Sequence, residues 1–320
     1  MTMAQRDLDA FETARPRLFA VSYRMLGSAD EAEDAVQDAF LRWERADRDA
    51  VHTPAAWLTK AVTNLCVNRL TSARSRREEY VGPWLPEPVL TQQSEKLGPL
   101  ETAEQRESVS FALLTLLERL TPAERAVYVL REAFDYPHRD IAEILDVTEA
   151  NSQQLFKRAR QRVAEERPRF DVDRDKCRRI AEEFFAVSQT ADGMSGLEQL
   201  LADDVVAWAD GGGKVAGARR PVKGRDKVGR YLGSGLTNLT TANITRFAPQ
   251  LSLYAAEVNA QPALLATVFD RPAAVLALTM VDGRITIIHS MANPDKLRFI
   301  AAQVGDDPVA VLGEPLFVFP

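Results

Sequence analysis

Cysteine and histidine are scarce in this 320-residue chain: Cys66 and Cys177, then His52, His138 and His289. Two thiols cannot staple a disulfide scaffold, and no His/Cys group falls at metal-ligand spacing. Long apolar runs are missing too. No stretch reaches the roughly 18 residues that span a bilayer. The opening residues, MTMAQRDLDAFE, are charged where a secretory signal would be apolar. A cytoplasmic protein with no membrane partner, no metal and no cofactor is expected. Excess positive charge is also lacking, since 40 basic and 46 acidic side chains give a net charge of −6. That excludes a uniformly basic nucleic-acid coat but leaves room for local basic patches. What is present suits globular folding, with 46% hydrophobic and 27% charged residues. The length calls for two or three domains.

Two basic patches stand out. Residues 60–77 carry five basic side chains and no acidic one, and residues 157–169 carry six against two. A charge run alone is usually a solvated helix face. Here each run ends a helical pattern. Ser28 and Glu31 have capping-box spacing and open a helix through Trp43, with Ala35, Val36, Ala39, Phe40 and Trp43 as its apolar stripe. Its first turns are acidic. Thr53-Pro54 and Thr121-Pro122 each place a cap residue before a proline at the first helical position, and Glu124 adds a second capping box.

Between residues 81 and 108 the helical pattern lapses into VGPWLPEPVLTQQSEKLGPLE, with four prolines and two glycines, as in a linker. Trp84 and Leu85 are too apolar for an idle spacer and call for a cover. After residue 170 the chain predicts a helix over 173–190, a short one over 195–202, and then strands. VVAWA, LSLYAAEV, ALLATVF, AAVLALTMV and RITIIHSM are separated by turn signals at Asp270-Arg271-Pro272 and Asp282-Gly283. Helices followed by an antiparallel meander predict an α+β domain.

Residues 138–163 have the pattern of a helix-turn-helix. Ile141, Ile144 and Leu145 stripe the first helix, Asp146-Val147-Thr148 is the turn, and Ser152, Phe156, Ala159 and Val163 share one face of the second. Asn151, Gln153, Gln154, Lys157, Arg158 and Gln161 then face outward or sideways. Amides at such positions read adenine edges, and Lys or Arg reads guanine or phosphate, from a helix lying in a major groove. The plain alternative is a helical hairpin with a solvated face.

The stretches LFAVSYRMLGSADEAEDAVQDAFLRWERA, TPAAWLTKAVTNLCVNRLTSARSRR and LLERLTPAERAVYVLREAFDYPHRDIAEILDVTEANSQQLFKRARQRV resemble the extracytoplasmic-function sigma factors of bacterial RNA polymerase. They match the σ2 and σ4 domains in order and spacing. The resemblance implies a σ2 domain over 1–80, a linker over 81–108 and a σ4 domain over 109–168. It implies docking on the β′ clamp helices through Asp30, Glu33, Asp34, Asp38 and Trp43, with the β subunit as a further partner. It also implies promoter DNA at two places: the −10 element at Lys60, Asn64, Arg69, Arg74, Arg76 and Arg77, and the −35 element at the six outward residues of the second helix. Trp57 could stack on an unpaired base or belong to the core. Three positions depart from the family pattern: Asp146 stands where the turn is commonly glycine, Ser152 where an aliphatic residue is usual, and Asn68 where aspartate is common.

The remainder resembles the SnoaL-like branch of the NTF2-like fold, expected over 169–304 with a tail over 305–320. The whole is similar to the ECF41 subfamily, whose marks are WLPEP (Trp84, Leu85, Pro86, Glu87, Pro88), DGGGK (Asp210, Gly211, Gly212, Gly213, Lys214) and NPDKL (Asn293, Pro294, Asp295, Lys296, Leu297). That resemblance implies regulation in cis, through contact between the extension and the linker, with no separate anti-sigma factor and no catalytic reaction. Lys214 near Glu87 is the expected contact. Two readings compete. One is a cyclase- or isomerase-type pocket enzyme with a DNA-binding leader, using Asp210, Tyr231, Asn259 or His289. The other is a repressor with an effector domain, which leaves the melting segment and the acidic helix unexplained. A small-molecule ligand of the C-terminal domain stays open under any of these.

Overall fold

A computed structural model describes residues 3–47, 50–78, 80–92, 97, 103–164, 179–180, 182–184, 193–237 and 250–319. The chain divides into two compact units. One comprises Met1–Glu79 and Gln93–Arg167, the other Tyr80–Gln92 and Pro168–Pro320. The proline-rich segment read as a linker is therefore split. Its first part, up to Gln92, is built into the second unit.

The first unit is helical: α1 (Met3–Leu26), α2 (Ala29–Arg45), α3 (Pro54–Glu78), α4 (Ala103–Glu107), α5 (Phe111–Leu117), α6 (Pro122–Glu132), α7 (His138–Leu145) and α8 (Glu149–Ala164). Ser28 caps α2 by accepting the Glu31 N–H at 3.1 Å. Asp30 and Glu31 in that first turn complement the helix dipole. The buried face of α2 is mostly alanine (Ala29, Ala32, Ala35, Ala39), so α1 and α3 approach it closely. Trp43 closes that face, 2% exposed, its ring 5.4 Å from that of Trp57. Thr121 and Glu124 form both halves of the expected capping box, with Pro122 at the start of α6.

The α7–α8 pair is the expected helix-turn-helix. Asp146 ends α7 in the left-handed conformation (φ 53°, ψ 46°), a backbone state that aspartate tolerates better than most residues. Ser152, Ala159 and Val163 are buried as expected, and Leu155 joins them, while Phe156 lies half-buried against Tyr128 and His138. The polar Ser152 is accommodated because its hydroxyl meets His138 Nδ1 at 3.0 Å.

The second unit is α+β, as expected. It comprises α9 (Gly193–Leu200), β1 (Leu201–Asp210), β2 (Val222–Lys223), α10 (Arg225–Thr237), β3 (Leu251–Val258), β4 (Gln261–Val268), β5 (Arg271–Val281), β6 (Arg284–Met291), a 3₁₀ turn (Pro294–Leu297), α11 (Arg298–Val304), α12 (Pro308–Leu312) and β7 (Phe317–Phe319). The strands form one sheet in the order β2-β1-β6-β5-β4-β3-β7. β3 to β6 are the expected antiparallel meander, but β1 lies parallel to β6, so the sheet is mixed. Strand burial alternates most cleanly in β4, where Gln261, Ala263, Leu265 and Thr267 point inward. The meander turns are two-residue turns with positive φ throughout: Asn259-Ala260, Phe269-Asp270 and Asp282-Gly283. The turn expected at Asp270-Arg271-Pro272 thus begins one residue earlier, and Arg271 and Pro272 already belong to β5. Of the helix expected over 173–190, the described residues 179–180 and 182–184 are helical. Ile180 and Phe184 from it, with Val228 and Leu232 from α10, cover Leu201, Val205, Leu278, Met280, Ile285 and Ile288 of the sheet.

Candidate functional site

Asp210 ends β1 with a side chain shielded from solvent, and four donors converge on it. Oδ1 accepts from the Tyr80 hydroxyl at 2.5 Å and the Gly212 N–H at 3.0 Å. Oδ2 accepts from the Leu85 N–H at 2.9 Å and Lys296 Nζ at 2.7 Å. The same ammonium donates to the Leu85 carbonyl at 2.5 Å and lies over the rings of Trp84 (4.1 Å) and Tyr80 (4.7 Å). Asn293 Nδ2 donates to the Tyr80 hydroxyl at 2.8 Å. Burial, followed by the Asp210 hydrogen bond, raises the Tyr80 phenol well above its usual value.

All three motifs singled out in the sequence meet here. Leu85 is fully buried and Pro86, Glu87 and Pro88 are buried with it, while Trp84 is half-buried beneath the ammonium. The glycines of the DGGGK loop are explained by close approach. A Cβ on Gly211 would lie 2.1 Å from the Val215 carbonyl oxygen, and one on Gly212, whose φ is +58°, would lie 2.3 Å from Asn293 Nδ2. Asn293 caps the 3₁₀ turn through the Asp295 N–H at 3.1 Å. That turn sends Asp295 outward and Lys296 and Leu297 inward. The contact expected between Lys214 and Glu87 is not formed. Lys214 pairs with Asp295 at 2.6 Å on the surface, and the inward cation is Lys296. The Lys214 hydrogen bond also holds the Asp295 carboxyl below its usual range.

Beyond Pro88 the segment runs along the end of β3, joined to it by one β-bridge and by backbone and side-chain hydrogen bonds. The Val89 N–H donates to Asn259 Oδ1 and its carbonyl accepts from the Asn259 N–H, both at 2.9 Å. The Thr91 N–H donates to the Glu257 carbonyl at 2.9 Å, and its hydroxyl accepts from the Ala260 N–H at 3.0 Å. Gln303 brackets the Leu90 backbone with both ends of its amide, and Leu90 forms a β-bridge with Val258. β7 takes the other half of the same β3 edge, at Leu251 to Leu253. The sequence signals of this second anchor are slight. Two prolines keep the chain extended up to Val89, and nothing about Tyr80, Asn259 or Gln303 marks them as partners.

The acid–base alternative finds no Asp210–His289 dyad among the described residues. Asp210 is saturated by the four donors above, none of them His289. Burial pushes the His289 imidazole down to about 3, so it is neutral inside β6. Asn259 anchors the connecting segment.

In the first unit the residues expected at polymerase and DNA are differently placed. Trp43 is core and holds α2 to α3. Glu33 lies 3.6 Å from Arg15. Arg69 pairs with Asp38 at 2.7 Å and Asp34 at 3.7 Å, tying the basic helix to the acidic one. Asn64 is half-buried. Lys60 Nζ donates to the Glu143 carbonyl at 2.7 Å and to Asp146 at 2.6 Å, both at the end of α7. The side chains of Arg74, Arg76 and Arg77 lie outside the described residues. On α8, Asn151, Gln153, Gln154, Lys157, Arg158 and Gln161 are all exposed. Arg158 nevertheless bonds Glu124 at 3.2 Å, and Arg162 joins the same carboxylate, which clamps α8 to α6.

The helices of α1–α3 and α5–α8 also share an interior. Arg24 is buried, bonds Ser108 and the Leu97 carbonyl, and lies over Phe134. Burial lowers its guanidinium to about 10. Arg17 lies over Phe134 and Tyr136. Cys66 is buried, with its thiol pushed up to about 12.

The chain matches the family profiles for Sigma-70 region 2 over residues 10–76 and Sigma-70, region 4 over residues 110–163. It is 36% identical over 299 residues to the ECF RNA polymerase sigma factor SigJ of Mycobacterium tuberculosis, covering 91% of this chain and 93% of the relative. A probable ECF RNA polymerase sigma factor of the same organism, SigI, is 31% identical over 92% of this chain and 96% of its own. The crystal structure of M. tuberculosis SigJ superposes with a TM-score of 0.69 at 31% identity, covering 90% of this chain and 97% of that one. Helical regions matching both sigma profiles and likeness along nearly the whole length, extension included, lead to one conclusion: the chain belongs to the extracytoplasmic-function RNA polymerase sigma factors, transcription initiation factors rather than enzymes.

Proposed function

We propose that this sigma factor is of the ECF41 type and is governed in cis by its second unit. Residues 1–80 and 109–168 serve as σ2 and σ4. They bind core RNA polymerase through the β′ clamp helices and the β subunit, and they bind promoter DNA, all in the cytoplasm. Asp30, Glu33, Asp34 and Asp38 supply docking charge, which mainly sets encounter rate and register. Lys60, Asn64 and Arg69, with Arg74, Arg76 and Arg77, serve the −10 region. The exposed face of α8 reads the −35 region. The SnoaL-like unit stands in for a separate anti-sigma factor by holding the segment that connects σ2 and σ4.

One observation carries the reading. Tyr80–Gln92 belongs to the second unit, pinned at Asp210 and Lys296 at one end and paired with β3 at the other. A segment so held cannot freely set the spacing of the domains it joins, and release shifts the population toward an open, polymerase-ready state. The test is transcription in vitro with core polymerase over a promoter library, comparing the full chain with residues 1–170. The full chain should give promoter-specific transcripts, and truncation should change their amount from the same promoters. Identical output from both would contradict regulation by the extension.

A further inference from the structure

The end of α7 has an electrostatic gap that another helix fills. Its last turn carries no basic residue, yet its final carbonyls form the negative end of the helix dipole. Lys60 of α3 fills the gap by donating to the Glu143 carbonyl at 2.7 Å and to the Asp146 carboxylate at 2.6 Å. Asp146 occupies a left-handed cap (φ 53°) where glycine would fit without strain. Turn geometry therefore does not call for aspartate at this position, whereas a carboxylate aimed at Lys60 does. Tyr136 and Thr59 meet at 3.4 Å beside it, so α3 and the α6–α7 corner are in register at this point.

We infer that Asp146 acts as an internal phosphate surrogate, a latch that occupies Lys60 until promoter DNA displaces it. The inference rests on the reading of α3 as the DNA-facing helix. The carboxylate offers the ammonium an anionic oxygen, as a nucleic-acid phosphate does, and the helix-end carbonyl adds a partly negative one. One Lys60 cannot hold σ4 in this geometry and track a phosphate at once. The two states are mutually exclusive, and each −10 engagement must first break the latch. The side chains of Lys60 and Asp146 are 41% and 72% exposed, so the pair is weak and salt-sensitive. That suits a contact which DNA has to outcompete.

The experiment uses the full chain with Asp146→Asn, which keeps the shape and removes the charge, and Asp146→Gly, which also relaxes the cap. Two readouts are taken: acylation of Lys60 by an amine reagent, followed by mass spectrometry, and promoter opening with core polymerase at about 0.1 M salt. Both variants should raise Lys60 reactivity and opening roughly two- to fivefold, with the gain shrinking at about 0.5 M salt. Unchanged Lys60 reactivity, or increased reactivity with opening unchanged or lower in folded variants, would overturn the latch while leaving wild-type transcription as evidence for the sigma reading. A wild-type chain that opens no promoter would overturn that reading, and the latch with it.

Discussion

Lys296 is a buried ammonium touching a carboxylate, a carbonyl and two aromatic rings. Removing one partner of a buried ion pair strands the other and costs about 3–5 kcal/mol. Lys296→Met should therefore destabilise the second unit by about that amount in denaturant unfolding, and the double change with Asp210→Asn should recover part of the loss. A single-variant loss no larger than that of a surface lysine would show that the pair is not structural. The motifs of this site were legible in the sequence through the family resemblance, and the three glycines of DGGGK besides suited a loop that approaches another backbone closely. Which cation faces inward was not legible. Lys214 and Lys296 have the same chemistry, and only the 3₁₀ turn capped by Asn293 sends Asp295 out to Lys214 and Lys296 in to Asp210. Tyr80 escaped notice because an aromatic residue at a helix end has many ordinary uses.

Capping and alternation decided most elements. Thr121-Pro122 and Ser28 marked helix starts, and period-two patterns marked β3 to β6. The Asn259-Ala260 turn was missed because alanine at positive φ carries no turn signal. Here the strain is offset by the Val89 N–H donating to Asn259 Oδ1 and the Ala260 N–H donating to the Thr91 hydroxyl. The parallel pairing of β1 with β6 could not be read from local pattern, since it joins strands far apart in the chain.

Two elements lose stability to acid in different pH windows. Burial alone would raise the Glu124 carboxyl, but hydrogen bonds from Thr121, the charge of Arg162 and a hydrogen bond from Arg158 outweigh it and leave the group below its usual value. Its stabilising effect is complete above the unfolded value of about 4.3 and is lost as pH falls below that. His289 is held neutral in β6 at about 3. Its unfolded value is about 6.5, so protonation favours unfolding and stability falls as pH drops from about 6.5 toward 3. Thermal unfolding between pH 7.5 and 5 should therefore weaken the second unit while leaving the Glu124 contribution intact, and His289→Gln should flatten that slope. Below about pH 4.3, Glu124→Gln should flatten the loss in the first unit. Slopes that are the same in wild type and variants would show that other groups control both windows.

At the scale of the whole molecule, division into a helical part and an α+β part was expected, and so was contact between the connecting segment and the extension. The sequence could not show how deeply the segment enters. Fully burying one leucine contributes about 1.5–3 kcal/mol, and Leu85 is joined by Val89 and Leu90 at 0 and 3% exposure. Backbone hydrogen bonds at Val89 and Thr91 and the Leu90–Val258 bridge tie this stretch to the end of β3. The proposed regulation in cis requires a hold strong enough to persist alone and weak enough to yield to polymerase. The most direct measurement is hydrogen exchange at the Leu85, Val89, Leu90 and Thr91 amides, each bonded to an acceptor in the second unit. The account predicts strong protection in the free chain and its loss when core RNA polymerase is bound. Equal protection in both states would contradict it.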